Sequence, residues 1–320
     1  MRILYGIIIS LLCAFTAYSQ DVKQTSLETK DFQNWMSKLA DNTRLCLISI
    51  PGSHDSGACR NGGILLQTQD IDIASQLAEG IRCFDIRLQA MEDGKLGVYH
   101  GPAFQDIYWE ENVLADFIRF LQKNPSETLI VSLKKENGKI SDYTRSLSST
   151  LEKPEYQSYF IQDFRPDITL GECRGKILFM HRDHAMKNYP GVECLGSVWG
   201  DNATFNMPMR DNDGTEGRAI VEDEYLYPSD EKASYKTQVC IDNINKRASE
   251  PANSDLWAIT FVSATAVPVS GPIHFAEKVN EPVAKHIRRL GKSSCGIVLI
   301  DFAGSAKGKM VTKALIQSNM

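Results

Sequence analysis

The patterns that would announce a nucleotide enzyme or a metal protein are missing from these 320 residues. There is neither a glycine-rich dinucleotide fingerprint nor a P-loop, so neither phosphate-cradling turn has sequence support. No Cys-x-x-Cys pair occurs, which removes the common structural zinc sites. Positive charge is not in excess. With 35 Lys and Arg against 40 Asp and Glu, the formal charge is −5. That argues against a nucleic-acid partner and against recruitment to anionic membranes by charge alone. Internal repeats, long linkers and low-complexity tracts are absent as well. The main uninterrupted apolar stretch, Ile3 to Phe15, is too short to span a bilayer.

What that stretch does resemble is the core of a secretory signal peptide. "MRILYGIIISLLCAFTAYSQ" has one basic residue, an apolar run, and small residues at Ala17 and Ser19, which predicts cleavage after Ser19. A lipoprotein anchor at Cys13 fits less well, because Leu11 and Leu12 are a poor match before it. The expected product is a single mature domain, residues 20–320, secreted or periplasmic. Seven cysteines remain. Cys46, Cys83 and Cys295 lie in strand-like runs and read as small apolar residues. Cys173, Cys194 and Cys240 lie in the more polar half, where an oxidising compartment would permit a bridge. Cys59 completes the set, and the odd count leaves at least one thiol free or paired with another chain.

From Leu45 onward the chain alternates strand-like and helix-like segments. Near-continuous apolar runs predict strands over Leu45–Ile50, Arg82–Leu88, Leu96–Tyr99, Thr128–Leu133, Lys176–Met180, Leu256–Ser263 and Gly296–Asp301. Helices are predicted over Ile73–Glu79, Glu110–Gln122, Ser141–Leu151, Asp230–Lys246 and Ile273–Leu290. Val113, Leu114, Phe117, Ile118 and Leu121 make one apolar face of the clearest of these. Such alternation predicts a mostly parallel α/β fold, with a barrel favoured over an open sheet. Residues 183–227 read as loop.

Polar groups gather where these strands end. In "ISIPGSHDSGACR" a buried strand is expected to stop at Pro51-Gly52, just before His54 and Asp55. "RCFDIRLQ" puts Asp85 and Arg87 on one face of a strand, because alternate residues point the same way. His100 follows in "GVYHGP", Lys134 in "VSLKKE" and Asp301 in "LIDFAG". A single histidine at a strand end is more often structural than catalytic. Five such clusters converging on one barrel mouth supply two imidazoles to move protons, cations to hold an anion and carboxylates to orient the imidazoles. The pair His181 and His184 in "HRDH" reads as loop polarity rather than metal ligation, and "DNDGTEG" lacks the acidic spacing of a calcium loop.

Taken in order, "ISIPGSHDSGA", "RCFDIRL", "VYHGP", "NPSETLIVSLKKE" and "GIVLIDF" resemble the successive motifs of bacterial phosphatidylinositol-specific phospholipase C of the X-domain type. The similarity runs from about Trp35 to the C-terminus. It implies a single-domain α/β fold, a distorted and incompletely closed (β/α)8 barrel of the TIM type. It also implies a phosphatidylinositol diacylglycerol-lyase with His54 as general base and His100 as general acid. By the same resemblance Asp301 fixes the His54 tautomer, Asp55 supports His100, and Arg87 neutralises the phosphate with Asp85 nearby. Lys134, Arg182, Asp223 and Tyr225 match the family's inositol-binding positions. Metal-dependent relatives carry a carboxylate where this chain has Arg87, so the resemblance implies no metal cofactor.

The implied partner is phosphatidylinositol at a membrane surface, met transiently by a monomer with no obligate protein partner. Ile64, Leu65 and Leu66 are the candidate membrane rim, Leu65 standing nearest to where family members often expose Trp. Phe104, Tyr108 and Trp109, and Val267 with Val269, are further rim candidates. Two other functions stay open: a phosphodiesterase on soluble inositol phosphodiesters, or a non-catalytic domain that binds inositol lipid.

Overall fold

The computed structural model describes residues 32–183, 189–194, 199–211 and 214–320. The expected signal peptide and His184 lie outside these residues. Eleven strands among them form one sheet: β1 Ile50–Ser53, β2 Cys83–Ala90, β3 Leu96–His100, β4 Ala103–Tyr108, β5 Leu129–Lys135, β6 Ile177–His181, β7 Val192–Cys194, β8 Ala203–Arg210, β9 Glu216–Asp223, β10 Trp257–Phe261 and β11 Ile297–Ile300. The order β1-β11-β10-β9-β8-β7-β6-β5-β2 returns to its start because β1 also pairs with β2. The fold is therefore a single-domain α/β barrel of the TIM type, as expected. It departs from the expected incompletely closed eight-strand ring in being closed and in having nine strands. The departure lies at β8, which runs antiparallel to both β7 and β9. β3 and β4 form an antiparallel hairpin appended to the upper half of β2, outside the ring.

Closure explains a feature that reads wrongly in sequence. Pro51 and Gly52 do not end the first strand; they are inside it. Ile50 and His54 donate their N–H groups to Gly296 and Ile300 of the β11 side, and Pro51, which has none to give, sits between them. A Cβ on Gly52 would come 3.0 Å from Leu299 Cγ and 3.1 Å from Cys83 Cβ, so glycine lets β1 sit between β11 and β2 without pushing either neighbour aside. The apolar run expected as strand over Leu45–Ile50 is instead a 3₁₀ turn, Leu45–Leu47, whose side chains fill the barrel floor. An apolar run alone cannot separate these two outcomes.

The other strands begin and end within two residues of expectation. The stretch expected as loop, 183–227, contributes β7, β8 and β9: β7 is only three residues long, β9 opens on polar residues, and the alternation of β8 is masked by Pro208 and the Gly- and Asn-rich turns around it. Helices Ile73–Ala78, Ala115–Lys123, Ile140–Leu151, Ala233–Ala248, Pro272–Leu290 and Ala306–Ser318 cover the barrel. Two expected helices begin later than read, each after a separate helical turn, Trp109–Leu114 and Asp230–Lys232. All seven described cysteines are free thiols, so the bridge that the sequence permits among Cys173, Cys194 and Cys240 is not made. Those three pack as small apolar residues in the core, Cys240 apart from the other two.

Alternation sorts the barrel into two layers. Phe84, Ile86, Val131, Leu133, Phe179, Val298 and Ile300 point outward to the helices. Ile130, Leu178, Met180, Val221, Ile259, Ile297 and Leu299 point inward and fill the lower interior. Continued upward at a period of two, the inward rows change character. Ile297 and Leu299 lead to Asp301, Ile130 and Ser132 to Lys134, Leu178 and Met180 to Arg182. Ala219 and Val221 lead to Asp223, Ile50 and Gly52 to His54, and Cys83 leads to Asp85 and Arg87.

Candidate active site

The upper interior opens as a cavity of about 510 Å³, lined by His54, Arg87, His100, Lys134, Glu136, Arg182, Trp199, Asp223, Tyr225 and Asp301 among others. Most of the residues singled out in sequence line this cavity, and Asp55 and Asp85 lie directly beneath it. His100 arrives by a different route from the rest. It closes β3, the first strand of the hairpin, which runs antiparallel to β2, rather than the upper end of a barrel strand.

The His54 environment fixes its proton. Nδ1 lies 2.8 Å from Asp301 Oδ1, and Nε2 lies 2.7 Å from Arg87 Nη2. A guanidinium only donates, so Nε2 is the acceptor and the proton sits on Nδ1, donated to Asp301. Burial, reinforced by Arg87, holds the imidazole well below its ordinary pKa, so it is neutral at pH 7. Asp301 is pushed well above the carboxylate range by burial and by Asp55. The dyad thus shares one proton between a weak base and an upshifted acid.

Two buried carboxylates, Asp85 and Asp55, flank Arg87. Asp85 Oδ2 accepts from Arg87 Nε at 3.2 Å and Nη2 at 3.1 Å, and Asp85 Oδ1 lies 3.5 Å from Arg182 Nη1. Burial would raise the Asp85 pKa, but Arg87 and Arg182 outweigh it and keep the group ionised. Asp55 Oδ2 is 3.7 Å from Arg87 Nε and 3.5 Å from His100 Nδ1. With burial dominating, Asp55 rises to about 6. His100 Nδ1 donates to the Leu66 carbonyl at 2.5 Å, which leaves its Nε2 facing the cavity chemistry. Ions buried this way cost several kcal/mol each unless something compensates, so their clustering marks a functional site.

The opposite wall is built from paired charges and rings. Lys134 Nζ donates to Glu136 Oε2 at 3.0 Å, and Glu136 Oε1 accepts from Gly101 N at 2.8 Å, in the turn just after His100. Arg87 and burial hold Lys134 below its ordinary pKa. The Arg182 guanidinium lies over the Trp199 ring, 3.6 Å from its centroid, and Trp199 Nε1 donates to Asp223 Oδ2 at 2.9 Å. Burial raises Asp223 against the pull of Arg182. The Tyr225 hydroxyl donates to Asp201 Oδ1 at 2.8 Å, and burial together with that carboxylate pushes the phenol to about 12. His181 is buried at the end of β6, its Nε2 donating to the Pro190 carbonyl at 2.8 Å.

Several residues of this site escape a reading of the sequence. Glu136 is the exception that had a signal, since it lies two residues beyond Lys134 on the same inward row. Trp199 and Asp201 sit in a stretch without periodicity. Thr68 and Gln69 form a clamp across the two strand ends. Thr68 Oγ1 donates to Asp55 O at 2.9 Å, while Gln69 Nε2 donates to His54 O and Ile300 O at 2.8 and 2.9 Å. The Thr68 carbonyl and the Gln69 side chain in turn accept from Phe302 N and Ala303 N. Asp55 and Phe302, the residues held by Thr68, have φ of 37° and 54°, conformations that need such support.

The cavity rim is apolar. Ile64 and Leu65, on the short helix Gly63–Leu66, are 61 % and 38 % exposed, and Val269 is 69 % exposed. Leu65, Leu66, Leu226 and Val267 line the opening itself. Trp109 does not belong to this rim. It is fully buried against Phe179, while Phe104 packs with Tyr99 and Tyr108 on the hairpin. No helix among the described residues is long and apolar enough to cross a membrane.

Comparison with known proteins agrees with this geometry. The family model for phosphatidylinositol-specific phospholipase C, X domain, matches residues 48–183. The 1-phosphatidylinositol phosphodiesterase of Staphylococcus aureus (strain Newman) is 31% identical over 290 residues, covering 86% of this chain and 90% of its own. The protein of the same name from Listeria monocytogenes is 31% identical over 311 residues, covering 92% and 87%. A solved structure of a double mutant of the S. aureus phosphatidylinositol-specific phospholipase C superimposes with a TM-score of 0.80 at 29% identity, covering 91% of this chain and 98% of that one. The Listeria monocytogenes structure gives 0.70 at 26%, covering 90% and 99%. This chain belongs to the phosphatidylinositol-specific phospholipase C family.

Proposed function

We propose that the protein is a secreted, metal-independent phosphatidylinositol diacylglycerol-lyase that releases diacylglycerol and inositol 1,2-cyclic phosphate. The observation that carries the reading is the proton assignment at His54: a neutral imidazole whose Nδ1–H donates to Asp301 and whose unprotonated Nε2 accepts from Arg87. The sugar's 2-hydroxyl gives its proton to His54 Nε2 as its oxygen bonds to phosphorus. The bond from phosphorus to the diacylglycerol oxygen breaks, and that oxygen takes a proton from His100 Nε2. His54 ends charged and His100 neutral, and water resets the pair. Arg87 holds a non-bridging phosphate oxygen. To do so it leaves His54 Nε2, so that binding of the phosphate frees the base. General acid–base catalysis of this kind contributes roughly 10² to 10⁴-fold.

The metal-free reading is supported by Arg87, a fixed cation that cannot ligate a metal, placed between the carboxylates of Asp55 and Asp85. Lys134, Arg182, Asp223 and Tyr225 are read as the inositol wall, and the apolar rim around Ile64 to Leu66 as the part that meets lipid. Glycosylphosphatidylinositol anchors share the scissile phosphodiester and are proposed as further substrates. Phosphorus NMR of the mature protein with phosphatidylinositol vesicles in EDTA tests the reading. A cyclic inositol phosphate resonance supports it. Turnover only after added Ca²⁺ removes the metal-free step, and no turnover under either condition removes the lyase.

A further inference from the structure

A buried ion pair that the catalytic scheme does not use lies on the outer side of β9. Glu222, one residue before Asp223, points away from the cavity toward the helix Ala233–Ala248, and both it and Lys236 of that helix are fully buried. Lys236 Nζ donates to Glu222 Oε1 and to the main-chain oxygen of Glu224, each at 2.7 Å. The same Glu222 oxygen accepts from Glu224 N at 3.0 Å, and Oε2 accepts from Cys240 Sγ at 3.4 Å. Neither Glu222 nor Lys236 is among the cavity-lining residues, whereas Asp223 and Tyr225 both are.

The position of the pair is informative. β9 makes its last pairings at Glu222 with β10 and at Asp223 with β8. The chain then leaves both ladders until Leu226 bridges to Thr265, and in that gap Glu224 presents a main-chain N–H and C=O in need of partners. Glu222 and Lys236 supply both. A leucine and a methionine would join strand to helix equally well and avoid the desolvation of two charges, but would leave the Glu224 amide unanswered. We propose that Lys236, with Glu222, is a positioning residue for headgroup recognition: it locks the backbone at 222–224 so that Asp223 and Tyr225 meet the sugar in a fixed geometry. The proposal rests on the reading of those two residues as the inositol wall.

The test compares Lys236→Met with the doubly neutral Glu222→Leu/Lys236→Met, both in the mature chain. Substrate is phosphatidylinositol in detergent micelles, and myo-inositol serves as competitor. Lys236→Met leaves a buried carboxylate alone and is expected to lower Tm. The double variant removes both charges and is expected to regain it. In the double variant KM and the myo-inositol inhibition constant should each rise about tenfold, with kcat little changed. Recovered Tm with wild-type KM and inhibition would reduce the pair to a strand–helix staple and overturn the proposal. So would a fall of kcat in step with KM. If the wild type turns over no phosphatidylinositol, the functional reading fails separately. Calorimetric titration with myo-inositol then decides the positioning claim: weaker binding in the double variant supports it, while equal binding, or none by the wild type, overturns it.

Discussion

Arg87 donates to Nε2 of His54 at 2.7 Å, so the proposed phosphate-binding cation rests on the lone pair of the proposed base. In the free protein the two groups satisfy each other. A phosphodiester that draws the guanidinium away exposes the base only when there is something to deprotonate. Arg87→Lys keeps the charge but loses the fork that spans His54, Asp85 and phosphate. Its kcat should fall by about 10²-fold or more, on the scale of losing one preorganised electrostatic donor. Steady-state kinetics in EDTA reads this directly, and near-wild-type kcat would remove Arg87 from the mechanism.

The Thr68–Gln69 clamp gives a second expectation. Gln69→Leu strips partners from the His54 carbonyl and the Ala303 amide, each worth about 1–3 kcal/mol when left unpaired, while the Ile300 carbonyl keeps the His54 N–H. Chemical denaturation should show a loss of that order or more. Because His54 and Asp301 follow the two strand ends that Gln69 joins, kcat should fall more than KM rises. A stable, fully active variant would show that the dyad holds itself.

Much of this arrangement is legible in the sequence because the barrel repeats one rule. Where an inward row of Ile297 and Leu299 ends in Asp301, or Leu178 and Met180 end in Arg182, the change from apolar to charged marks the cavity floor. The rule fails for His100, which comes from a hairpin, and its place follows from motif order alone. It also fails for Trp199 and Asp201, whose positions depend on β7 to β9, short or Pro- and Gly-interrupted strands in a stretch that reads as loop. The misread Pro51-Gly52 has a different cause. Both residues usually signal a turn, and only the closeness of Leu299 and Cys83 shows why the strand favours glycine at 52.

His181 sets a pH dependence of stability unrelated to catalysis. Burial lowers its pKa from 6.5 to about 4. A base with a depressed folded-state pKa leaves stability intact above 6.5 and removes it as the pH falls toward 4, because the unfolded chain takes up the proton first. A displacement of that size is worth about 3 kcal/mol. Urea denaturation of wild type and His181→Gln at pH 7 and pH 4 should show the wild type losing more stability by roughly that amount. Equal losses would mean that His181 is not held neutral.

The rim offers a test that separates lipid contact from chemistry. Ile64→Glu with Val269→Glu places charges at two exposed apolar positions. Each large apolar side chain moved from water into lipid gains about 1.5–3 kcal/mol. Activity on phosphatidylinositol vesicles should therefore drop at least about tenfold. Activity on a soluble inositol phosphodiester should hold. Equal loss on both substrates would place these residues in folding rather than docking.

The central claim, that His54 is the base and His100 the acid, is tested most directly by changing the leaving group. A p-nitrophenyl ester of inositol 1-phosphate departs without a proton, whereas diacylglycerol needs one. The account predicts that His100→Ala, nearly inactive on phosphatidylinositol, recovers most of its rate on the nitrophenyl ester, and that His54→Ala recovers none. Recovery by His54→Ala, or failure of both variants on the activated ester, would contradict it.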